Sequence, residues 1–95
     1  AMFLTELAPD RATPILVRGR AFGESRVVCG VHSVSAVEAG RVNGAAIMAS
    51  WHGNPDFRAD LEAVRAELEA VRKTGAKPDA AMCKIEAEQS AKTPW

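Results

Sequence analysis

From Pro55 to Thr74 the apolar residues Phe57, Leu61, Val64, Leu68 and Val71 recur at alternating intervals of four and three, with charged residues at many of the positions between them. That rhythm predicts an α-helix carrying a narrow apolar stripe on a charged surface. Gly53 ends the preceding segment, Asn54 can cap the new helix, Pro55 suits its first turn, and Glu69 stands four residues before Lys73, a spacing that supports a helical ion pair. Upstream, Asp10 or Thr13 can start a helix that tolerates Pro14 in its first turn and runs to about Val28, burying Ile15, Leu16, Phe22 and Val27. Gly30 is placed to close that helix, leaving Val31 and His32 in a short connector. The next helix is expected from Ser35, where Ser35-Ala36-Val37-Glu38 has the spacing of a capping box. Within it Gly40, Gly44, Ala45, Ala46 and Ala49 leave one side nearly bare, which predicts close helix contact with Ile47, Met48 and Trp51 at the flanks. His52 then falls in the last turn, where a donor or cation is favourable in any case. Gly75-Ala76-Lys77-Pro78 reads as a linker, followed by a short helix from about Pro78 to Glu88 with Met82 and Ile85 inward and a tail from Lys92 to Trp95. The expected fold is therefore all-α, a bundle of four to five helices without a sheet, organised as residues 1–75 plus a short C-terminal helix and tail over residues 76–95.

Composition narrows the function classes. The 95 residues carry 12 basic and 12 acidic side chains, a formal net charge of zero. No electrostatic footprint argues for nucleic acid or an anionic membrane. No stretch approaches the roughly 20 apolar residues that span a bilayer. Cys29 and Cys83 lack neighbouring histidines at zinc spacing, so no metal is expected. Cys29 reads as a small buried apolar residue and Cys83 as a helix residue.

The chemistry concentrates in Ser25-Arg26-Val27-Val28-Cys29-Gly30-Val31-His32. An arginine offers a planar fork of donors for phosphate oxygens, and a neutral histidine can attack through one ring nitrogen when the other is held by an acceptor. This stretch resembles the third signature of the bacterial class A non-specific acid phosphatases, members of the type 2 phosphatidic acid phosphatase and vanadium haloperoxidase superfamily. There the pattern reads Ser-Arg, five residues, His, three residues, Asp. Arg18-Gly19-Arg20-Ala21-Phe22-Gly23-Glu24 and Val37-Glu38-Ala39-Gly40-Arg41 also resemble family sequence, and the resemblance covers roughly Met2 to Arg72. One position departs: Ala36 stands where the family has its aspartate, and Glu38 is the nearest acid.

The resemblance implies a phosphomonoester hydrolase without a cofactor. His32 would form a phosphohistidine, Arg26 would hold equatorial oxygens of phosphate or vanadate, Ser25 would complete the motif, and Glu38 is the candidate to orient the histidine. It also implies a periplasmic location, although no signal peptide is present in this chain, and with it a minority expectation of a disulfide between Cys29 and Cys83, or from Cys83 to the upstream part. Family members are longer, and their Lys/Arg and Pro-Ser-Gly-His signatures are expected upstream of Ala1, with Met2 to Pro9 as the end of the helix that follows the second. The chain thus reads as the C-terminal part of a phosphatase bundle, lacking its general acid and inactive alone. A second reading stays open: a non-catalytic helical remnant that binds a partner or its own copies. Uncovered apolar surface at the Gly40/Gly44 side and the Leu61/Leu68 stripe makes a homo-oligomer, most simply a two-fold dimer, the expected assembly.

Overall fold

A computed structural model describes residues 1–92. Five α-helices follow in order: α1 (Met2–Leu7), α2 (Ala12–Val28), α3 (Val34–Trp51), α4 (Pro55–Thr74) and α5 (Ala80–Ser90), with a 3₁₀ turn at Pro9–Arg11 between α1 and α2. The fold is all-α, and no strand occurs among the described residues. Of the expected tail, only Lys92 lies within them.

The caps explain most boundaries. Asn54 accepts the backbone N–H of Asp56 at 2.8 Å and Pro55 opens α4, so the expected start holds to the residue. Glu69 and Lys73 pair at 3.5 Å. Asp79 accepts the N–H of Met82 at the start of α5, two residues later than the sequence expectation. At α3 the expected capping box does not form. Ser33 is the cap, accepting the N–H of Ala36 at 3.2 Å, so the helix begins two residues early and Ala36 occupies the position a capping glutamate would take. Neither Asp10 nor Thr13 caps α2, whose first residue follows the 3₁₀ turn directly. Asp10 instead forms a two-pronged ion pair with Arg72 of α4, at 2.7 and 3.1 Å. The Arg72 guanidinium holds the Asp10 carboxyl below its ordinary value.

Short α1 is the hub, touching α2, α3 and α4, while α5 rests on α2. Its Leu7, with Ala8, packs into the same small core as Leu61 of α4; these three are the buried apolar residues among the described ones. Phe57 joins the cluster through ring contacts to Phe3 at 6.3 Å and Trp51 at 5.5 Å. Close backbone approach occurs at α2 rather than α3. A Cβ on Gly19 would stand 2.6 Å from the Cβ of Ala1, and one on Gly23 would stand 2.9 Å from Val37 Cγ1, whereas Gly40 and Gly44 have nothing within 4 Å. The expected helix contact at the Gly40/Gly44 side is therefore absent from the chain's own packing.

Several expected core residues lie on the surface: Leu16 at 48%, Phe22 at 64%, Met82 at 64% and Ile85 at 52% exposure. Ile15 and Val27 are half-buried. Cys29 is exposed rather than buried, and both cysteines are free thiols. The radius of gyration is 15.6 Å, against about 12 Å for a compact domain of this length. The helices spread into a slab of 39 × 36 × 19 Å, leaving each with an uncovered side.

Candidate functional site

The site is organised by the way α2 stops. Gly30 adopts φ +73°, a conformation that side-chain-bearing residues avoid. This lets the N–H of Gly30 reach the carbonyl of Val27 at 2.9 Å and the N–H of Val31 reach that of Arg26 at 3.1 Å, the paired bonds of a Schellman ending. The next N–H, that of His32, shares the Arg26 carbonyl at 3.2 Å. Two residues six positions apart in sequence thus become backbone partners.

Arg26 is half-buried in the last turn of α2. Its guanidinium carbon sits 5.4 Å from the ring centroid of Phe22, one turn earlier. Its Nε donates to Ser25 Oγ at 3.4 Å, and that hydroxyl donates to the Phe22 carbonyl at 2.7 Å. Phe22, Ser25 and Arg26 therefore form one local group, with the remaining guanidinium N–H donors available to an anion. His32 is exposed in the connector, immediately before Ser33 caps α3. Its imidazole has no hydrogen-bond partner among the described residues.

Glu38 does not meet His32. It pairs with Arg41 on its own helix at 3.0 Å, both side chains more than half exposed. Neither role considered for Glu38, capping α3 or orienting the histidine, is realised in this arrangement. His52 is occupied elsewhere: its Nε2 lies 2.8 and 3.0 Å from the two carboxylate oxygens of Glu6, and its ring meets Phe57 edge-on at 5.4 Å. It joins α1 to the α3–α4 turn.

Sequence reasoning passed over Glu24. It is the buried charged residue among the described residues, 7% exposed, and it pairs with Arg20 one turn back at 2.5 Å. The four-residue spacing of Arg20 and Glu24 was the available signal. Among the described residues no group of three or more His, Cys, Asp and Glu side chains could hold a metal ion. No helix is long and apolar enough to cross a membrane.

Over 92 residues, 97% of its length, the chain is 49% identical to an acid phosphatase of Zymomonas mobilis. The chain belongs to the acid phosphatase family. It is also 37% identical over 73 residues to a non-specific acid phosphatase of Providencia stuartii and 46% identical over 68 residues to one from Salmonella typhimurium. It spans about a third of the length of these phosphatases, 34%, 29% and 27% respectively, which agrees with a C-terminal portion. The two shorter matches have about the extent expected for Met2 to Arg72. The Zymomonas match must reach further, into α5, because 92 of 95 residues cannot be aligned without it. No family model matches the chain, and no solved structure does.

Proposed function

We propose that this chain supplies the nucleophile and one anion-binding arginine of an acid phosphatase site that other parts of the phosphatase complete. A ring nitrogen of His32 attacks the phosphorus of a phosphomonoester, the bond to the leaving oxygen breaks, and that oxygen takes a proton from an acid outside this chain. Arg26 neutralises charge on the equatorial oxygens of the transferring group. Water then attacks phosphorus, the P–N bond breaks, and inorganic phosphate leaves with the imidazole restored. The observation that carries this reading is the clasp of Arg26 and His32 at the glycine-closed end of α2, in a sequence 49% identical to an acid phosphatase. A periplasmic setting accompanies the reading by family resemblance.

By itself the chain is expected to hydrolyse a chromogenic aryl phosphate at no more than a trace rate, having one of three family signatures and no general acid. The decisive experiment is a chimera in which this chain replaces the matching segment of the Zymomonas phosphatase. Hydrolysis by the chimera, lost in Arg26→Ala and in His32→Ala, is the expected result. Alkali-quenched radiolabelled phosphate should stay on the chain in the parent and not in His32→Ala. A folded chimera whose activity is indifferent to His32 overturns the proposal.

The second reading, a non-catalytic oligomerising remnant, is favoured by the exposed, unpartnered imidazole and by the engagement of Glu38 with Arg41. In that case the folded chimera is inactive from the outset.

A further inference from the structure

The imidazole of His32 has no hydrogen-bond partner among the described residues, so its aim comes from the backbone that carries it. The bond from its N–H to the Arg26 carbonyl places the nitrogen and leaves rotation about the N–Cα and Cα–C bonds of His32 open. Those two torsions direct the ring and also send the chain into α3. Whatever fixes the course of α3 against α2 therefore aims the histidine.

One contact does so at this end of the helix pair. Among the described residues 28–43, Val37 alone is not exposed, and it stands over Gly23, which precedes Arg26 on α2 by less than one turn. A Cβ on Gly23 would lie 2.9 Å from Val37 Cγ1, against 3.4–4 Å for an ordinary contact. The glycine is thus a seat for the valine methyl, with room for a hydrogen and none for a side chain. That methyl does not turn aside, because a valine in a helix has one strongly preferred rotamer. From Val37 the link back to the histidine is stiff. Its N–H bonds to the Ser33 carbonyl at 3.1 Å, the Ser33 hydroxyl accepts the N–H of Ala36 at 3.2 Å, and His32 is the next residue. The Gly30 turn pins the joint between α2 and α3 at one point, and the Gly23 seat pins it at a second, which fixes a direction that one point leaves free.

We propose that Gly23 and Val37 are positioning residues for His32: the seating of the valine methyl on the glycine sets the angle between α2 and α3, and with it the line along which the imidazole meets an anion held by Arg26. The effect on turnover rests on the phosphatase reading, whereas the effect on the His32 backbone rests on the geometry alone.

The test is a cycle of Gly23→Ala, Val37→Ala and the two together, made in the 95-residue chain and in the Zymomonas chimera. Alanine is the better helix former, so Gly23→Ala keeps α2 and pushes α3 away by the difference between 2.9 Å and an ordinary contact of 3.4–4 Å. Val37→Ala empties the seat without a clash. A misplacement on this scale costs about tenfold to a hundredfold in rate, so kcat of the Gly23→Ala chimera should fall by about tenfold or more. Val37→Ala should lower kcat by less, and the pair should recover most of the loss, since a methyl removed on one side makes room for the methyl added on the other. Competitive inhibition by inorganic phosphate, which Arg26 governs from α2, should stay within about twofold of the parent. In the 95-residue chain, the scalar coupling between the His32 amide and Cα protons, which reads its φ, should change in Gly23→Ala and return toward the parent value in the pair. An unchanged coupling in both single variants overturns the proposal whatever the chimera does. So does an active, His32-dependent chimera whose turnover ignores both single variants, or one in which the second substitution deepens the loss, as accumulating packing damage would. A chimera whose activity ignores His32 removes the phosphatase reading, and the coupling still decides the positioning.

Discussion

The carbonyl oxygen of Arg26 accepts the backbone N–H of His32 at 3.2 Å, across a turn that Gly30 alone makes possible with its φ of +73°. The relative placement of the two residues is therefore fixed by main chain and does not depend on any side-chain contact between them. Arg26 gains its aim from Phe22 and Ser25 on the same helix, and His32 gains its place from the glycine-closed helix end. Substitutions at the clasp and substitutions at the side chains should accordingly have separable effects.

Gly30→Ala introduces a Cβ where nothing stands within 4 Å, so its cost is backbone strain alone. About 1 kcal/mol of stability should be lost, read as a fall in melting temperature of about 4–8 °C for a chain of this size. In the chimera it should also lower turnover, through displacement of His32 from Arg26. An unchanged melting temperature would show that α2 ends in another way.

Glu38→Gln should matter little. The carboxylate pairs with Arg41 in solvent and touches neither His32 nor the start of α3, and exposed pairs of this kind contribute about 0–1 kcal/mol. Chimera turnover within about twofold of the parent is expected, with a melting temperature shifted by no more than a few degrees. A loss approaching roughly ten-thousandfold, the scale seen when an orienting acid is removed, would restore Glu38 as the partner of the histidine.

Below about pH 4 the chain should loosen where the 3₁₀ turn meets α4. The Arg72 guanidinium holds the Asp10 carboxyl below its ordinary value of 3.8. A carboxyl with a lowered folded-state pKa contributes stability that is present above its unfolded value and is lost as pH falls through the folded one. Carbon-detected NMR titration should find Asp10 titrating below 3.8 in the parent and close to that value in Arg72→Gln. The same midpoint in both proteins would mean that the pair does not persist in solution.

Leu61→Ala should be the most damaging of the single substitutions discussed. At 6% exposure Leu61 is one of three buried apolar residues among those described, and truncating such a side chain costs about 2–4 kcal/mol. Total stability for 95 residues is on the order of 5–10 kcal/mol, so cooperative thermal unfolding by circular dichroism should move down by well over 10 °C or vanish. Leu68→Ala, half-buried on the same stripe, should cost less than half as much. Equal effects at the two positions would contradict the small core around Leu7 and Leu61.

What the sequence determined by itself was local. The glycine stop at Gly30, the Asn54–Pro55 start of α4 and the Glu69–Lys73 pair were legible because each depends on backbone preference and neighbours within a turn or two. The Arg26–His32 motif was legible as a spacing, and the family through the resemblance of that motif and its flanks to known sequence. Helix packing was not. The pair Gly40 and Gly44 has the spacing that suggests close contact, yet the contacts form at Gly19 and Gly23, which have the same spacing on a more charged helix. Periodicity reports which side of a helix is apolar or small, not which partner arrives there, and only the tertiary arrangement brought Ala1 and Val37 against α2. It likewise decided that Ser33 rather than Ser35 caps α3, that Glu38 turns to Arg41 rather than to the histidine, and that Phe22 stays at the surface beneath Arg26. Each of these choices sets one short-range option against another of similar energy, and the few long-range contacts around Leu7 and Leu61 select between them.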